Sequence, residues 1–438
     1  MFKATFRGGI HPDDKKQITR NKSIVRIDAS EIMKFPLSQH IGAPCEPIVK
    51  AGDKVYVGQK IADSKAFVSA PIHSSVSGKV IGIEKTLIPN GSIVDAILIE
   101  NDFAYKSAPS SGTVKKFHKL SKKEKIDVIR EAGLVGLGGA CFPTHIKLNP
   151  PKEIDSIIIN GAECEPYLTN DFRLMIENTE DIVYGIKCMM DILSCNKAYV
   201  AVEENKPEAI KALKDATEST DKISVIPLKT KYPQGSEKQI ISAVTGREVP
   251  SGGLPSDVGV VVDNIDTCIS IGKACKERKP LTERVITISG ECIEHPINCS
   301  VKIGTCINDV IKAAGGIIGE PQKVLAGGPM MGVCLYDLNV PVVKGTSAIL
   351  VLSDNEVGLK ETSPCIRCGK CVQKCPMHLM PLTLNMYAMK KDLKMCEKYN
   401  IMDCIECGVC TYLCQTGQNV VQNIKAAKNL IREQKQRK

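Results

Sequence analysis

Two cysteine blocks near the C-terminal end carry the most specific chemistry in the chain. Residues 365–375 read CIRCGKCVQKC and residues 404–414 read CIECGVCTYLC, so each block is C-x2-C-x2-C-x3-C. This spacing wraps three thiolates around one cubic iron–sulfur cluster and sends the fourth to its neighbour. The crossed pattern assigns Cys365, Cys368, Cys371 and Cys414 to one 4Fe-4S cluster, and Cys404, Cys407, Cys410 and Cys375 to the other. Zinc takes four ligands, usually from two C-x2-C pairs, so two complete four-cysteine blocks point to iron. Pro376 follows the first block and Gln415 the second, a difference that concerns the local turn more than ligation. Cys396 lies between the blocks and off the pattern, and reads as a buried helix residue.

Clusters of this kind move one electron at a time, so something must supply electrons and something must remove them. The stretch GLVGLGGACFPTHIK (133–147) concentrates glycines ahead of a sheet-forming region. Glycines there let backbone N–H groups close on a phosphate and permit positive φ angles. It is not the G-x-G-x-x-G of a dinucleotide unit that follows a strand. Further on, INGAECEPYLTND (159–171) places Asn160, Glu163 and Glu165 at the end of a strand, where open α/β sheets bind ligands. KYPQGSEKQ (231–239) and VVDNIDT (261–267) add further polar groups.

The elements that must position these residues follow from the patterning. A chain of 438 residues with 43% hydrophobic content suits about three folded domains. CEPIVKAGDKVYVGQKIADSKAFVSAPIHSSVSGKVIGIE (45–84) alternates short β-branched runs with Gly-Asp, Gly-Gln and Ser-Gly turns, and reads as a small all-β module. It resembles the barrel-sandwich hybrids of the lipoyl and biotinyl family, but PIHSSVSGKV has no lysine in the position of the modified arm. The module is therefore structural, and His73 reads as a hydrogen-bonded surface histidine. Strand and helix patterns then alternate from about 120 to 280, predicting a mainly parallel sheet with helices on both faces. ERVITISGECI and AILVLS bracket the helix CINDVIKAAGG in a compact α+β unit, and the stretch between the cysteine blocks is helical in pattern. The expected boundaries are 1–118, 119–280, 281–355 and 356–438.

Composition narrows the class further. Twenty cysteines fall below the density of a disulfide scaffold, and thiolate ligands call for a reducing, cytoplasmic setting. The start MFKATFRGGIHPDD has no apolar core of a secretory signal, and no run approaches the length of a membrane span. A net charge of +9 is spread along the chain except for the tail KAAKNLIREQKQRK, which reads as a solvated helix rather than a lipid contact. With no tryptophan, 4% aromatics and no matching motif, nucleic acid is not the expected partner.

In their order, the glycine run, INGAECEP, QGSE and VVDNIDT resemble the NADH-oxidising flavin subunit of respiratory complex I over about residues 130–270. The following unit looks like that family's soluble-ligand-binding β-grasp (SLBB-like) domain. By position, the resemblance implies that Gly136, Gly138, Gly139 and Lys147 bind the phosphate of FMN. It implies that Asn160, Glu163, Gly235, Asn264 and Thr267 line the flavin, and that Phe142, Glu165 and Glu237 face NAD(H). Leu137, Ser236 and Asp263 depart from the family pattern, which has arginine, glutamate and asparagine there.

The order of modules is similar, over essentially the whole chain, to the RnfC component of the Rnf electron-transport complex. That order is a barrel-sandwich hybrid, a complex I-like α/β domain, a β-grasp domain and a helical two-cluster ferredoxin-like domain, a multidomain α+β and α/β fold. The resemblance implies a peripheral subunit on the cytoplasmic side of the cell membrane, in an ion-translocating ferredoxin:NAD oxidoreductase. Its partners would be the other subunits, including membrane-embedded ones and an iron–sulfur subunit that meets ferredoxin. A flavin between NADH and the clusters converts hydride pairs into single electrons. No acid–base catalyst is needed for hydride transfer, so no residue is assigned that role. Two other readings stand beside this one: a soluble flavin and iron–sulfur reductase such as a cobalamin reductase, and a non-enzymatic relay whose nucleotide domain is degenerate.

Overall fold

Three consecutive isoleucines, Ile157 to Ile159, can be buried on both faces only in a parallel sheet covered by helices on each side. The central part of the chain builds such a sheet. The computed structural model describes residues 4–108, 116–358 and 361–436; the opening tripeptide and the last two residues of the basic tail lie outside them. Four strands, β1 (Ser156–Gly161), β2 (Ala198–Glu203), β3 (Ile223–Leu228) and β4 (Val260–Asn264), pair in parallel in the order β3-β2-β1-β4. The chain steps outward from β1 to β3, then returns to the far side of β1. Winding direction therefore reverses between β1 and β4.

Alternation along β1 divides its side chains between two cores. Ile157 and Ile159 pack with Ile186 and Met189 of the helix Thr179–Leu193. Ile158 faces the opposite core, with Ile240 and Ile241 of α1 (Glu237–Thr245) and with Val260 and Val262 of β4. The helix after β4, α2 (Ile265–Glu277), covers the first face through Ile265, Ile269 and Ala274.

Before this domain lies the β module. A four-stranded antiparallel sheet is ordered Ile32–Pro36, Ile93–Asn101, Gly78–Leu87 and Lys54–Val55, and a three-stranded sheet is ordered Glu46–Pro47, Lys60–Asp63 and Ile72–His73. Met33, Phe35, Ile61, Ile72, Ile97 and Ile99 fill the space between them. His73 is not at the surface. It is buried, burial pushes its ring down to about 3, and a Cβ at Gly133 of the next domain would lie 3.0 Å from its Nδ1. Nothing in the local pattern around His73 marks this burial, because the covering residues come from another domain.

After the α/β domain, six strands form one mixed sheet with the helix Ile307–Ala313 packed through Ile307, Val310 and Ile311. One edge strand of that sheet, Ile24–Arg26, comes from the N-terminal segment and pairs in parallel with Ile297–Lys302. Ahead of it the same segment crosses the α/β domain, where Ala4 bridges Leu228 and Ile10 bridges Tyr232.

The cysteine blocks lie in a helical region. Its short helices Lys370–Gln373 and Val409–Tyr412 pack together, and Pro381–Met389 packs on the long Val420–Gln436. Val421, Ile424, Ala427 and Ile431 bury one face of that last helix, so the basic tail is a docked element with a solvated outer face. Cys396 is fully buried in the helix Leu393–Lys398.

Candidate functional site

The reversal between β1 and β4 opens a crevice at the C-terminal ends of the two strands, the usual ligand position in such sheets. Asn160 and Asn264 end the strands as register partners there. Asn160 Nδ2 donates to the Gly235 carbonyl at 2.7 Å, and its Oδ1 accepts from Ala162 N–H at 3.1 Å. Asn264 caps α2, accepting from Asp266 N–H at 2.9 Å, and its Nδ2 donates to Asp171 Oδ2 at 2.6 Å.

The glycine-rich loop closes one side. Gly136 N–H donates to the Phe142 carbonyl at 2.8 Å, so the chain turns back on itself with Gly138, Gly139 and Ala140 at an exposed tip. Gly139 has φ +106°, a conformation that favours glycine. The loop is pinned at Leu137, whose N–H donates to Thr267 Oγ1 at 2.9 Å and whose carbonyl accepts from Arg284 at 3.0 Å. Leu137's side chain is buried in the core, which accounts physically for an apolar residue at that position. Phe142 is half-buried behind the tip.

The loop before α1 closes another side. Gly235 crosses the end of β1 so closely that a Cβ there would lie 2.3 Å from the Ala162 carbonyl oxygen. Below it, Lys147 Nζ is 3.0 Å from Glu237 Oε1 and 3.8 Å from Asp263 Oδ1. Desolvation lowers the Lys147 ammonium, but Asp263 and Glu237 outweigh it and hold the group above its ordinary value.

Glu163 is buried, accepts from Asp171 N–H at 2.7 Å and lies 3.8 Å from Lys16 Nζ. Glu165 accepts from Met330 N–H at 3.0 Å, beneath a glycine loop of the β-grasp unit. Burial raises Glu165 to about 7; it raises Asp171 to about 7 with help from Glu163 and Asp266. Burial likewise raises Asp263, to about 6, against the attraction of Lys147. Sequence reasoning named neither Asp171, Gln234 and Tyr232, though they stand inside the quoted stretches, nor Lys16 and Arg284, which arrive from distant segments.

Glu163 Oε2, Glu165 Oε1, Asp263 Oδ2 and both polar atoms of the Gln234 side chain are buried without a hydrogen-bond partner in the chain, Glu163 Oε2 having only the longer ion pair to Lys16. Carboxylate acceptors suit a ligand rich in O–H and N–H donors, as the ribityl chain and ring imide of a flavin are. One lysine and an exposed glycine tip suit its phosphate. The residues present therefore fit a flavin mononucleotide.

Four cysteines of the crossed pattern share one cavity. Cys375, Cys404, Cys407 and Cys410 line one apolar cavity with Leu379, Leu384, Val421 and Ile424. Cys365 and Cys368 are exposed beside Cys371. Ser363 N–H donates to the Thr416 carbonyl at 3.0 Å, which brings the start of the first block to the end of the second, near Cys414. Among the described residues no three such side chains already converge at metal-binding distance. Burial pushes Cys407 up to about 12 and raises Cys375, Cys404 and Cys410 as well. A lone thiolate is disfavoured there, and a cationic metal centre offsets that cost. The cavity fits a cluster.

Comparison with known proteins gives matches along most of the chain. The family model for the RnfC barrel sandwich hybrid domain matches residues 4–104, that for the Nuo51 FMN-binding domain residues 129–273, and that for the SLBB domain residues 285–333. The chain is 49% identical to the C component of the proton-translocating ferredoxin:NAD(+) oxidoreductase complex of Clostridium ljungdahlii, over 97% of this chain and 93% of that one. It is 44% identical to the Na(+)-translocating counterpart of Acetobacterium woodii, over 99% and 98%. It is 42% identical to the C component of the ion-translocating oxidoreductase complex of Rhodobacter capsulatus, over 99% and 84%. A crystal structure of an NAD+-reducing NiFe-hydrogenase in the H2-reduced state is similar with a TM-score of 0.51 at 17% identity. It covers 71% of this chain and 62% of its own, a likeness of fold.

Proposed function

Because the chain belongs to the RnfC family, the C components of ion-translocating ferredoxin:NAD(+) oxidoreductase (Rnf) complexes, we propose that it exchanges a hydride between NAD(H) and FMN and passes single electrons through two 4Fe-4S clusters to or from partner subunits. One observation carries the reading: the crevice between β1 and β4 and the cavity of Cys375, Cys404, Cys407 and Cys410 meet at one loop, residues 231–239. A bound flavin supplies the exchange between hydride pairs and single electrons. The rest falls to the chain. Asn160, Glu163, Gly235, Asn264 and Thr267 line the flavin. Lys147, Gly136, Gly138 and Gly139 would take its phosphate. Phe142, Glu165 and Glu237 would position the dinucleotide.

The buried set, Cys375, Cys404, Cys407 and Cys410, holds the cluster nearer the flavin. The set of Cys365, Cys368, Cys371 and Cys414 would hold the outer one, whose exposed Cys365 and Cys368 mark the exit to a partner. No helix among the described residues is long and apolar enough to cross a membrane, which suits a peripheral subunit held by membrane-embedded partners, with its clusters on the cytoplasmic side. The relatives' names supply ferredoxin and NAD(+) as the two ends of the reaction. The test is cofactor content and turnover of the purified chain: one flavin mononucleotide, about eight irons, and NADH-dependent reduction of ferricyanide. Glu237→Gln should keep flavin and iron but lower kcat/KM about ten- to a hundredfold, the loss of one charged hydrogen bond. A chain holding iron but no flavin would leave the electron-relay reading in its place.

A further inference from the structure

The buried cysteine set is gripped from outside its own domain at three points. Tyr232, 1% exposed, donates its phenol O–H to the Cys407 carbonyl at 2.7 Å. Gln239 Nε2 donates to the Pro376 carbonyl at 3.1 Å, next to Cys375. The N-terminal segment completes the grip: Gly9 N–H donates to the Lys374 carbonyl at 2.9 Å, and a Cβ on Gly8 would lie 2.9 Å from the Cys375 carbonyl oxygen. None of these three contacts touches Cys365, Cys368 or Cys371.

We infer that Tyr232 is a positioning residue that sets the reduction potential of the cluster held by Cys375, Cys404, Cys407 and Cys410 and leaves the other cluster's potential alone. The inference rests on the two-cluster reading above. A peptide unit is planar, so holding the Cys407 carbonyl fixes the turn that follows it. Next to it Glu406 N–H, one residue before Cys407, donates to the Cys404 sulfur at 3.4 Å. Donors aimed at cluster sulfurs stabilise the extra electron of the reduced state and raise the potential. Gln239 acts in the same way on the other arm, where it holds the Pro376 carbonyl and His378 N–H closes the turn onto the Cys375 carbonyl at 3.2 Å. Removing the phenol oxygen leaves the Cys407 carbonyl buried without its partner, so the turn relaxes and the N–H to sulfur contact weakens. The ring itself still fills its place against Ile10 and Val409.

The experiment is a potentiometric titration of the full iron-loaded chain, followed by electron paramagnetic resonance, with Tyr232→Phe beside the unmodified protein. Cys404→Ser identifies which signal belongs to the buried set. In Tyr232→Phe, flavin and iron should be unchanged and that signal's midpoint should fall while the other stays. The expected change in reduced-to-oxidised ratio at a fixed poise is about two- to tenfold, roughly 20–60 mV for one electron. Midpoints that both stay, or both move together, overturn the inference. Should Tyr232→Phe fail to retain the cluster, Gln239→Leu must lower the same midpoint, and no shift there overturns it. Low iron in the unmodified protein would instead defeat the two-cluster reading itself.

Discussion

Glu165 shows how a single side chain ties the site to the pH of its surroundings. A glutamate in an unfolded chain ionises near pH 4.3, whereas burial holds this one protonated up to about 7. Between those values the unfolded state has already lost the proton that the folded state keeps. Stability from this group is therefore greatest in acid and falls as pH rises to about 7. Glu165→Gln keeps the acceptor for Met330 N–H and removes the ionisation. In flavin-free protein the variant should be more stable than the parent at pH 8, by up to about 3–4 kcal/mol for the whole shift, with the advantage vanishing near pH 4. Urea unfolding midpoints at the two pH values check this. Equal differences at both would mean that Glu165 ionises in the folded chain at the ordinary glutamate value.

At the scale of elements, the loop before α1 is held off the end of β1 by the absence of a side chain. Gly235→Ala places a methyl 2.3 Å from the Ala162 carbonyl oxygen, so the loop must retreat and Asn160 loses the Gly235 carbonyl. Flavin affinity should drop at least about tenfold, the worth of one good hydrogen bond and the geometry it fixes. Iron content should hold, as measured by released flavin against acid-labile sulfide. In the cluster region Cys404→Ser should remove one of two paramagnetic signals and Cys396→Ser neither, because Cys396 sits in the helix Leu393–Lys398 behind the cavity. These elements were legible in sequence because their signals are local. The C-x2-C-x2-C-x3-C spacing, the alternation of β1 with the helix Thr179–Leu193, and the glycine tip each depend on neighbours a few residues away. What escaped reading is long-range. Lys16 reaches Glu163, and Arg284 reaches Leu137, across separations that no periodicity encodes.

The whole molecule is stitched by a few buried contacts between modules. Lys344, 1% exposed, donates to the Pro71 carbonyl at 2.6 Å and to the Gly133 carbonyl at 2.8 Å, so one ammonium joins three regions. Lys344→Met should leave both carbonyls without that donor and loosen the β module by about 2–4 kcal/mol. Limited proteolysis should then cut between the module and the α/β domain well before the parent is cut. An unchanged cleavage rate would place the joint elsewhere. The N-terminal segment makes a more demanding connection. Its residues bridge β3, lend an edge strand to the β-grasp sheet, and reach Lys374 beside the buried cysteines. A ribosome adding about 5–20 residues per second makes that segment first and its cysteine partner tens of seconds later. Its pairings with β3 and the β-grasp sheet can form first, and only its contact with Lys374 must wait until the final helices have emerged. Closure of the strap onto the cysteine region is thereby a late event in biogenesis.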